Sequence, residues 1–239
     1  MPIFNNGDSY EIDKVIEHLK THWALDVTDF EGGQETAVFK IDGETIAIAS
    51  MPVQIPQGDI EGTAQYAYNW PTVLEDLKDH TGHVLVTIMT GQKSIPERFE
   101  LLSRVLYSMF KTSDVVGVYQ GNQSLLIPKQ QYIDGIDMLE ENSFPVMLWI
   151  YFGLRKLETG NCAYTYGLKD FNKQEIEIID SKLSLEELYD FLLNITSYII
   201  ENDVVLKSGE TIGSTADQKI SITSSKGIFV EGESIKLTL

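Results

Sequence analysis

The sequence predicts an α+β fold, in which helices pack against mixed β-sheet. Hydrophobic residues make up 43% of the 239 residues and charged residues 23%, as in ordinary globular proteins. Stretches with helical spacing and β-branched stretches follow one another without strict alternation, which disfavours a doubly wound sheet. We therefore expect a single α+β domain over 1–239, with two lobes at 1–140 and 141–239 as the alternative.

The first third of the chain predicts one helix, three strands and two short helices. Asp8 and Glu11 have the spacing of a capping box, and the apolar residues after them recur at helical intervals. The turn pairs Gly32-Gly33 and Asp42-Gly43 separate strand-like stretches. The expected elements are a helix at 9–22, strands at 25–30, 35–41 and 44–51, and two helical pieces within 57–81, the second at 71–79.

The middle of the chain predicts a βαβ crossover at about 83–119. Residues 83–89 are apolar and β-branched, which is typical of a buried strand. Residues 96–111 carry an apolar stripe at helical spacing, and 115–119 form the returning strand. A strand, a helix and a strand in that order predict a right-handed crossover. Another helix is expected at about 128–140.

The last part of the chain predicts a second group of strands and one long helix. Residues 145–152 are strongly apolar and predict a strand, with partners at 162–166 and 175–180. Ser184 and Glu187 have capping-box spacing and precede a helix with an apolar stripe. Further strands are expected at 210–213, 219–223 and 235–239.

The formal net charge of −18 is unevenly distributed. Residues 1–80 contain 15 acidic and 4 basic side chains, a balance of −11. Such a field repels nucleic acid phosphates and anionic membranes, so we expect contact with neither. It attracts basic proteins, and a basic protein partner is therefore predicted. The alternative is that the acidity only keeps the protein in solution.

The compartment indicated by the sequence is the cytoplasm. The first residues show neither the basic stretch nor the apolar stretch of a secretory signal. No apolar run reaches the ~20 residues that a membrane helix needs. Cys162 is the single cysteine, which suits a reducing environment, and we expect it to be buried and structural.

Common catalytic and cofactor motifs do not occur in the sequence. His18 and His22 share a helix face, but a zinc-protease helix would need Glu where Leu19 stands. A zinc site that adds His80 and His83 is an alternative, although surface or half-buried histidines are the commoner outcome. No phosphate-binding loop, dinucleotide fingerprint or nucleophile elbow is present. We predict no cofactor, no metal and no catalytic residue.

Three carboxylates near a turn are the most chemically suggestive group. Glu175 and Glu177 point to the same side of a strand, and Asp170 lies in the turn before it. Together they could hold a divalent cation or polarise a water molecule for hydrolysis. The alternation of the strand also permits a plainer interpretation, in which both glutamates face water while Ile176 and Ile178 face the core.

A cluster of aromatic residues offers a binding interpretation. Tyr66, Tyr68 and Trp70 alternate in a segment with few core signals. If exposed, they would form a recognition patch of the kind enriched at protein interfaces. If buried, they cover the edge of a sheet.

Several segments carry a resemblance to a known family. They are the run Pro145 to Tyr151, the turn and strand from Thr165 through Gly167 to Ile178, and the segment from Gly209 to Gly213. With the two strands of the predicted crossover, these segments resemble domain of unknown function 4261, over about residues 82–239. Members commonly place Gly after Phe171, where this chain has Asn172. Because Asn tolerates a left-handed backbone, the turn is expected to survive.

The resemblance implies a bacterial cytoplasmic protein and supplies no mechanism. Our prediction is therefore an acidic protein-binding module, of the immunity or adaptor type, with a basic partner. Its expected binding residues are Tyr66, Tyr68, Trp70, Thr165, Asp170, Glu175 and Glu177. Two alternatives stay open: a metal-dependent or acid/base hydrolase that uses Asp170, Glu175 and Glu177, and a homo-oligomer that pairs through an exposed sheet edge.

Overall fold

The structure is a computed structural model that describes residues 1–140, 143–213 and 219–239. The chain divides into two compact units, Met1–Leu148 and Trp149–Leu239. In the described residues, the first unit contains one β-sheet with several helices and the second contains one β-sheet with one α-helix, which confirms the α+β class. No helix in these residues is long and apolar enough to cross a membrane.

The first unit is built on a seven-stranded antiparallel sheet in the order β2-β3-β4-β5-β1-β6-β7. The strands are β1 (Pro2–Phe4), β2 (Val27–Gly32), β3 (Thr36–Ile41), β4 (Glu44–Met51), β5 (Gly82–Thr90), β6 (Val115–Gln120) and β7 (Leu125–Pro128). The helices are α1 (Ile12–Thr21), α2 (Gln57–Ala64), α3 (Val73–Asp76), α4 (Ile95–Thr112) and α5 (Lys129–Glu140). The predicted meander and the predicted helix 96–111 are confirmed.

The predicted crossover is present, with a strand inserted in it. β1 pairs antiparallel with β5 on one side and with β6 on the other. β5 and β6 therefore run parallel, connected by α4, with β1 between them. The three residues of β1 are too few to show a strand period, and the sequence did not predict this element.

The two faces of this sheet are covered unequally. On one face, Phe39, Ile46 and Ile48 are buried beneath the layer that contains α4. On the other face, α2 and α3 cover β1, β6 and β7 through a cluster that contains Ile3 and Trp70. Gly117 permits this packing, because a Cβ there would lie 2.5 Å from the ring of Trp70. On the opposite half of that face, formed by β3, β4 and β5, the side chains of Val38, Leu85 and Met89 are exposed in the described residues.

The second unit is a six-stranded mixed sheet in the order β11-β12-β13-β10-β9-β8. Its strands are β8 (Tyr151–Lys156), β9 (Asn161–Tyr166), β10 (Ile176–Ser181), β11 (Thr211–Ile212), β12 (Ile220–Lys226) and β13 (Glu233–Thr238). Helix α6 (Leu185–Glu201) packs on β8 and β9, and β10 pairs parallel with β13. The predicted capping box is confirmed, since the Glu187 N–H donates to Ser184 Oγ at 3.2 Å.

Three local predictions are wrong. Residues 145–152 do not form one strand, because 146–148 are a 3-10 turn that follows Pro145, and β8 begins only at Tyr151. Asp8 does not cap α1, because the helix begins at Ile12 and its N-cap residue is Glu11, which makes no side-chain cap hydrogen bond. Residues 83–89 are not a buried strand, because Leu85 and Met89 are exposed.

Candidate functional site

A turn between β9 and β10 is fastened by the carboxylate of Glu175. Glu175 is buried and accepts hydrogen bonds from Thr165 Oγ1 at 2.8 Å and from the Gly167 N–H at 2.9 Å. The Thr165 hydroxyl in turn accepts from the Ile176 N–H at 2.8 Å. Gly167 has φ of 123°, a backbone conformation that L side chains rarely adopt. This threonine, glycine and glutamate therefore fix the path of the chain from one strand to the next.

Asn172 closes the same turn as predicted. Its φ of 57° and ψ of 32° lie in the left-handed region, at the end of the 3-10 turn Leu168–Phe171. Its N–H bonds to the Lys169 carbonyl at 3.0 Å. Asn takes this conformation more readily than other non-glycine residues, so the turn survives the departure from Gly.

The carboxylate of Glu177 fastens a second loop. It is fully buried and accepts from the N–H groups of Ile228 and Phe229, at 3.0 and 2.5 Å. Ser234 Oγ donates to it at 2.5 Å, and Lys236 forms an ion pair with it. Burial acts to raise the pKa of Glu177, but the hydrogen bonds from Lys236, Ser234 and the two N–H groups outweigh it and hold this pKa below its ordinary value.

The three predicted carboxylates do not share a site. Glu175 and Glu177 are both buried, so the interpretation that they face water is wrong. Each is occupied by a different set of donors, one from the β9–β10 turn and the other from residues 228–236. Asp170 lies on the surface of the turn. Glu175 and Glu177 therefore stabilise two separate loops, and the three carboxylates do not converge on one substrate.

The segment with these features has a recognisable sequence. Residues 164–238 match the family model of domain of unknown function 4261. The resemblance inferred over 82–239 is thereby confirmed over this shorter segment, which begins in β9 and ends in β13. No curated protein and no solved structure gives a significant match to the chain.

The glycine, glutamate and cysteine residues in and next to the matched segment hold its backbone in place. The glycine allows a positive φ, and the two glutamates satisfy backbone N–H groups that would otherwise be buried without acceptors. Cys162 is buried, and the Asp180 N–H donates to its Sγ at 3.4 Å, which suits a structural cysteine.

The histidines are engaged in packing and backbone hydrogen bonds. His80 Nε2 accepts from the Ile55 N–H at 2.8 Å, so its Nδ1 donates to the Leu77 carbonyl at 2.6 Å. His83 Nδ1 lies 3.0 Å from the Val53 carbonyl. The rings of His18 and His22 are in contact, with centroids 4.8 Å apart and planes tilted by 32°. Among the residues that the structure describes, no group of three or more His, Cys, Asp or Glu side chains could hold a metal ion.

The three predicted aromatic residues lie at different depths. Trp70 is buried in the core, and its Nε1–H donates to Asp76 Oδ2 at 2.6 Å. Tyr66 is half-buried, and Tyr68 is 54% exposed. The segment turns between α2 and α3 rather than running extended, so alternation along the sequence does not place the three rings on one surface.

An apolar surface that the sequence did not predict lies on the first unit. We call it the uncovered face: Val38 on β3, and Leu85, Thr87 and Met89 on β5. Val38 lies opposite Ala47 of β4, and Ala47 lies opposite Thr87, so these side chains share one side of the sheet. Val38, Leu85 and Met89 are 40%, 41% and 61% exposed. Residues 84–90 contain no charged residue, which indicates an apolar strand, but this pattern was interpreted as burial of both faces of the strand.

Proposed function

We propose that the protein is a binding module of the immunity or adaptor type in the cytoplasm, and that its partner is a basic protein. The observation that carries this proposal is the uncovered face. Soluble monomers rarely leave several large apolar side chains together on one flat surface, and such surfaces are typical of protein interfaces. The uncovered face continues directly from the sheet half that α2 and α3 bury, so its side chains stand on neighbouring hydrogen-bonded strands.

The charge of the chain supports a basic partner. The net charge is −18, and residues 1–80, which supply β1 to β4, carry −11 of it. Opposite charge accelerates encounter and excludes like-charged molecules. Nucleic acids and anionic membranes are therefore disfavoured as partners, whereas a basic protein is attracted before its apolar contacts form.

The hydrolase alternative has little support from the geometry. It requires Asp170, Glu175 and Glu177 to converge on a concave pocket. The carboxylate oxygens of Glu175 and Glu177 instead accept hydrogen bonds from two separate backbone loops, and Asp170 lies on the surface.

Affinity purification of the tagged protein from a native lysate tests the proposal. The expected result is a basic protein recovered at low salt and lost at about 0.5 M salt, where the screening length is only about 4 Å. The variant Leu85→Ser should recover at least tenfold less of it. Ile228→Ser is the matched control, because Ile228 is 60% exposed on the second unit.

Two results would contradict the proposal. One is that no basic protein is recovered in stoichiometric amount at low salt. The other is that Leu85→Ser and Ile228→Ser recover the same amount, which would mean that the uncovered face takes no part in binding.

A further inference from the structure

The uncovered face is lowest along its middle strand, β4. Ala47 and Ala49 of β4 are half-buried, and they lie on the same side of the sheet as Val38 and Leu85. Ala47 has Val38 beside it on β3, and Ala49 has Leu85 beside it on β5. Because a methyl group is shorter than either neighbour, the surface over β4 lies below the surfaces over β3 and β5. We call this feature the β4 trough, with Ala47 and Ala49 as its floor.

The β4 trough has the dimensions of one α-helix. Neighbouring strands lie about 4.8 Å apart, so the rows of side chains on β3 and β5 are about 10 Å apart. A helix with its side chains is about 10 Å wide, so a helix laid along β4 would contact both rows. The floor from Thr45 to Ala49 is about 14 Å long, which is the length of about nine helical residues.

A helix also suits the backbone requirements of an apolar sheet face. The hydrogen bonds of a sheet run between neighbouring strands, so its face offers no backbone partners to an extended segment that lies on it. The N–H and C=O groups of a helix are satisfied within the helix itself. The same chain covers the other half of this face with α2 and α3, next to the trough.

The border of the trough on the β2 side is acidic. Glu31 of β2 lies opposite Val38, so its exposed side chain is on the same side of the sheet as the trough. Lys40 is also on this side, but it forms an ion pair with Asp29 at 2.8 Å, which compensates its charge. Residues 26–36, which contain β2 and the turn after it, carry four acidic and no basic side chains. This border therefore attracts lysine or arginine on one flank of a docked helix.

We propose that an amphipathic α-helix of the basic partner docks along β4, with apolar side chains on Ala47 and Ala49 and basic side chains toward Glu31. This inference rests on the proposed function and specifies the element of the partner that binds and its orientation, as a helix in a groove. A second copy of the chain is disfavoured as the occupant, because it would bring a second acidic border and a further net charge of −18 to the same surface.

Titration of the intact protein with a defined peptide tests this inference. The probe has about 18 residues, because shorter isolated helices are marginal in water. Its leucines recur at helical spacing, and its polar residues are lysine. Binding is followed by the methyl NMR signals of Ala47 and Met89, with buried Ala163 of the second unit as the internal reference. We expect saturable shifts of Ala47 and Met89 with a dissociation constant below about 100 μM, and no shift of Ala163.

Two leucine substitutions distinguish a helix in the trough from a featureless apolar patch. Ala47→Leu raises the floor and separates the helix from both walls, so the peptide should bind at least tenfold more weakly. Thr36→Leu is the matched control, because Thr36 is exposed on the same side of β3, where a larger side chain extends a wall. This variant should bind the peptide at least as tightly as the wild type. Ala49→Leu repeats the test at the second floor position, and equal binding by the floor and wall variants would overturn the inference.

Charge reversal tests the orientation of the helix. Glu31→Lys should weaken binding of the lysine peptide by about fivefold, which is the upper range for one exposed ion pair. Glu231→Lys makes the same change at an exposed residue of the second unit and should alter binding by less than about twofold. Equal effects of the two reversals would overturn the predicted orientation.

Two further results would overturn helix docking itself. One is that the peptide at about 1 mM, which corresponds to the weakest measurable binding, leaves the Ala47 signal unchanged. The other is that the Ala47 signal shifts with protein concentration in the absence of peptide, which would assign the trough to a second copy.

The test distinguishes failure of this inference from failure of the proposed function. A basic protein captured through Leu85, and recovered equally by the Ala47→Leu variant, would retain the binding function and refute the docked helix. Peptide binding at Ala47, together with an empty low-salt purification, would retain the trough as a helix acceptor and refute the basic partner.

Discussion

Replacement of Glu177 by Gln tests the interpretation that this carboxylate is a structural fastener. Glu177 is fully buried and accepts hydrogen bonds from four donors, including the ammonium of Lys236. Gln has the same shape, but its NH₂ group must face donors and it cannot neutralise Lys236. Removal of one partner from a buried ion pair costs about 3–5 kcal/mol. Because the Lys236 side chain is 14% exposed and retains some water, we expect a value near the lower end, about 3 kcal/mol.

The free energy of unfolding of each variant is measured by urea denaturation. Hydrogen exchange of peptides from the second unit is measured separately. Glu231→Gln is the matched control, because it makes the same chemical change at an exposed side chain and should alter the free energy of unfolding by less than about 0.5 kcal/mol. Equal unfolding free energies for the two variants would refute the assignment of Glu177 as a fastener.

The pH dependence gives an independent check on the same residue. The pKa of Glu177 is lowered in the folded state, so the unfolded chain binds its proton more readily. The stabilisation is then complete above the ordinary glutamate value of 4.5 and is lost as pH falls through the lower folded pKa. The difference between the wild type and Glu177→Gln should therefore shrink at low pH.

Three further predictions concern packing, capping and titration. Gly117→Ala should destabilise the first unit by about 1–3 kcal/mol in thermal unfolding, because the added Cβ would meet the Trp70 ring. In the control Gly62→Ala, in α2, the added Cβ meets nothing within 4 Å, so this variant should be more stable by up to about 1 kcal/mol. Equal effects of the two substitutions would contradict the packing of Trp70 on Gly117. Ser184→Ala should cost about 1 kcal/mol through loss of the α6 capping box, and an unchanged urea midpoint would contradict that. Burial lowers the pKa of His83 in the folded state, so stability should fall as pH drops below about 6.5, and His83→Gln should flatten this slope; an identical slope would exclude His83 as a source.

Much of the fold was predictable where local signals were complete. The helix at 96–111 showed its stripe within its own sequence, and Ser184 and Glu187 formed the capping box that their spacing predicts. Asn172 likewise adopts the left-handed conformation on which its turn depends, as the sequence predicted. These features depend on residues within a few positions of each other, which a single sequence displays.

The candidate site was less predictable because it depends on partners distant in sequence. The alternation of the strand predicted that Glu177 faces water. Its buried position depends on Lys236, which comes 59 residues later in the sequence and could not be inferred as its partner. β1 has only three residues, too few to show a strand period, so its position between β5 and β6 could not be inferred. A strand buried on both faces and a strand that exposes Leu85 and Met89 can have the same apolar composition, so the sequence of 84–90 alone could not distinguish them.

Photocrosslinking in living cells tests most directly whether the first unit binds a basic partner through β5. A photoreactive amino acid replaces Thr87, which lies on the uncovered face, and the same amino acid at exposed Ser221 of β12 serves as the control. We expect Thr87 to yield one dominant crosslinked protein with a strongly basic composition, and Ser221 to yield none. Equal yields from the two positions, or a crosslink from Thr87 only to another copy of this chain, would contradict the proposed function.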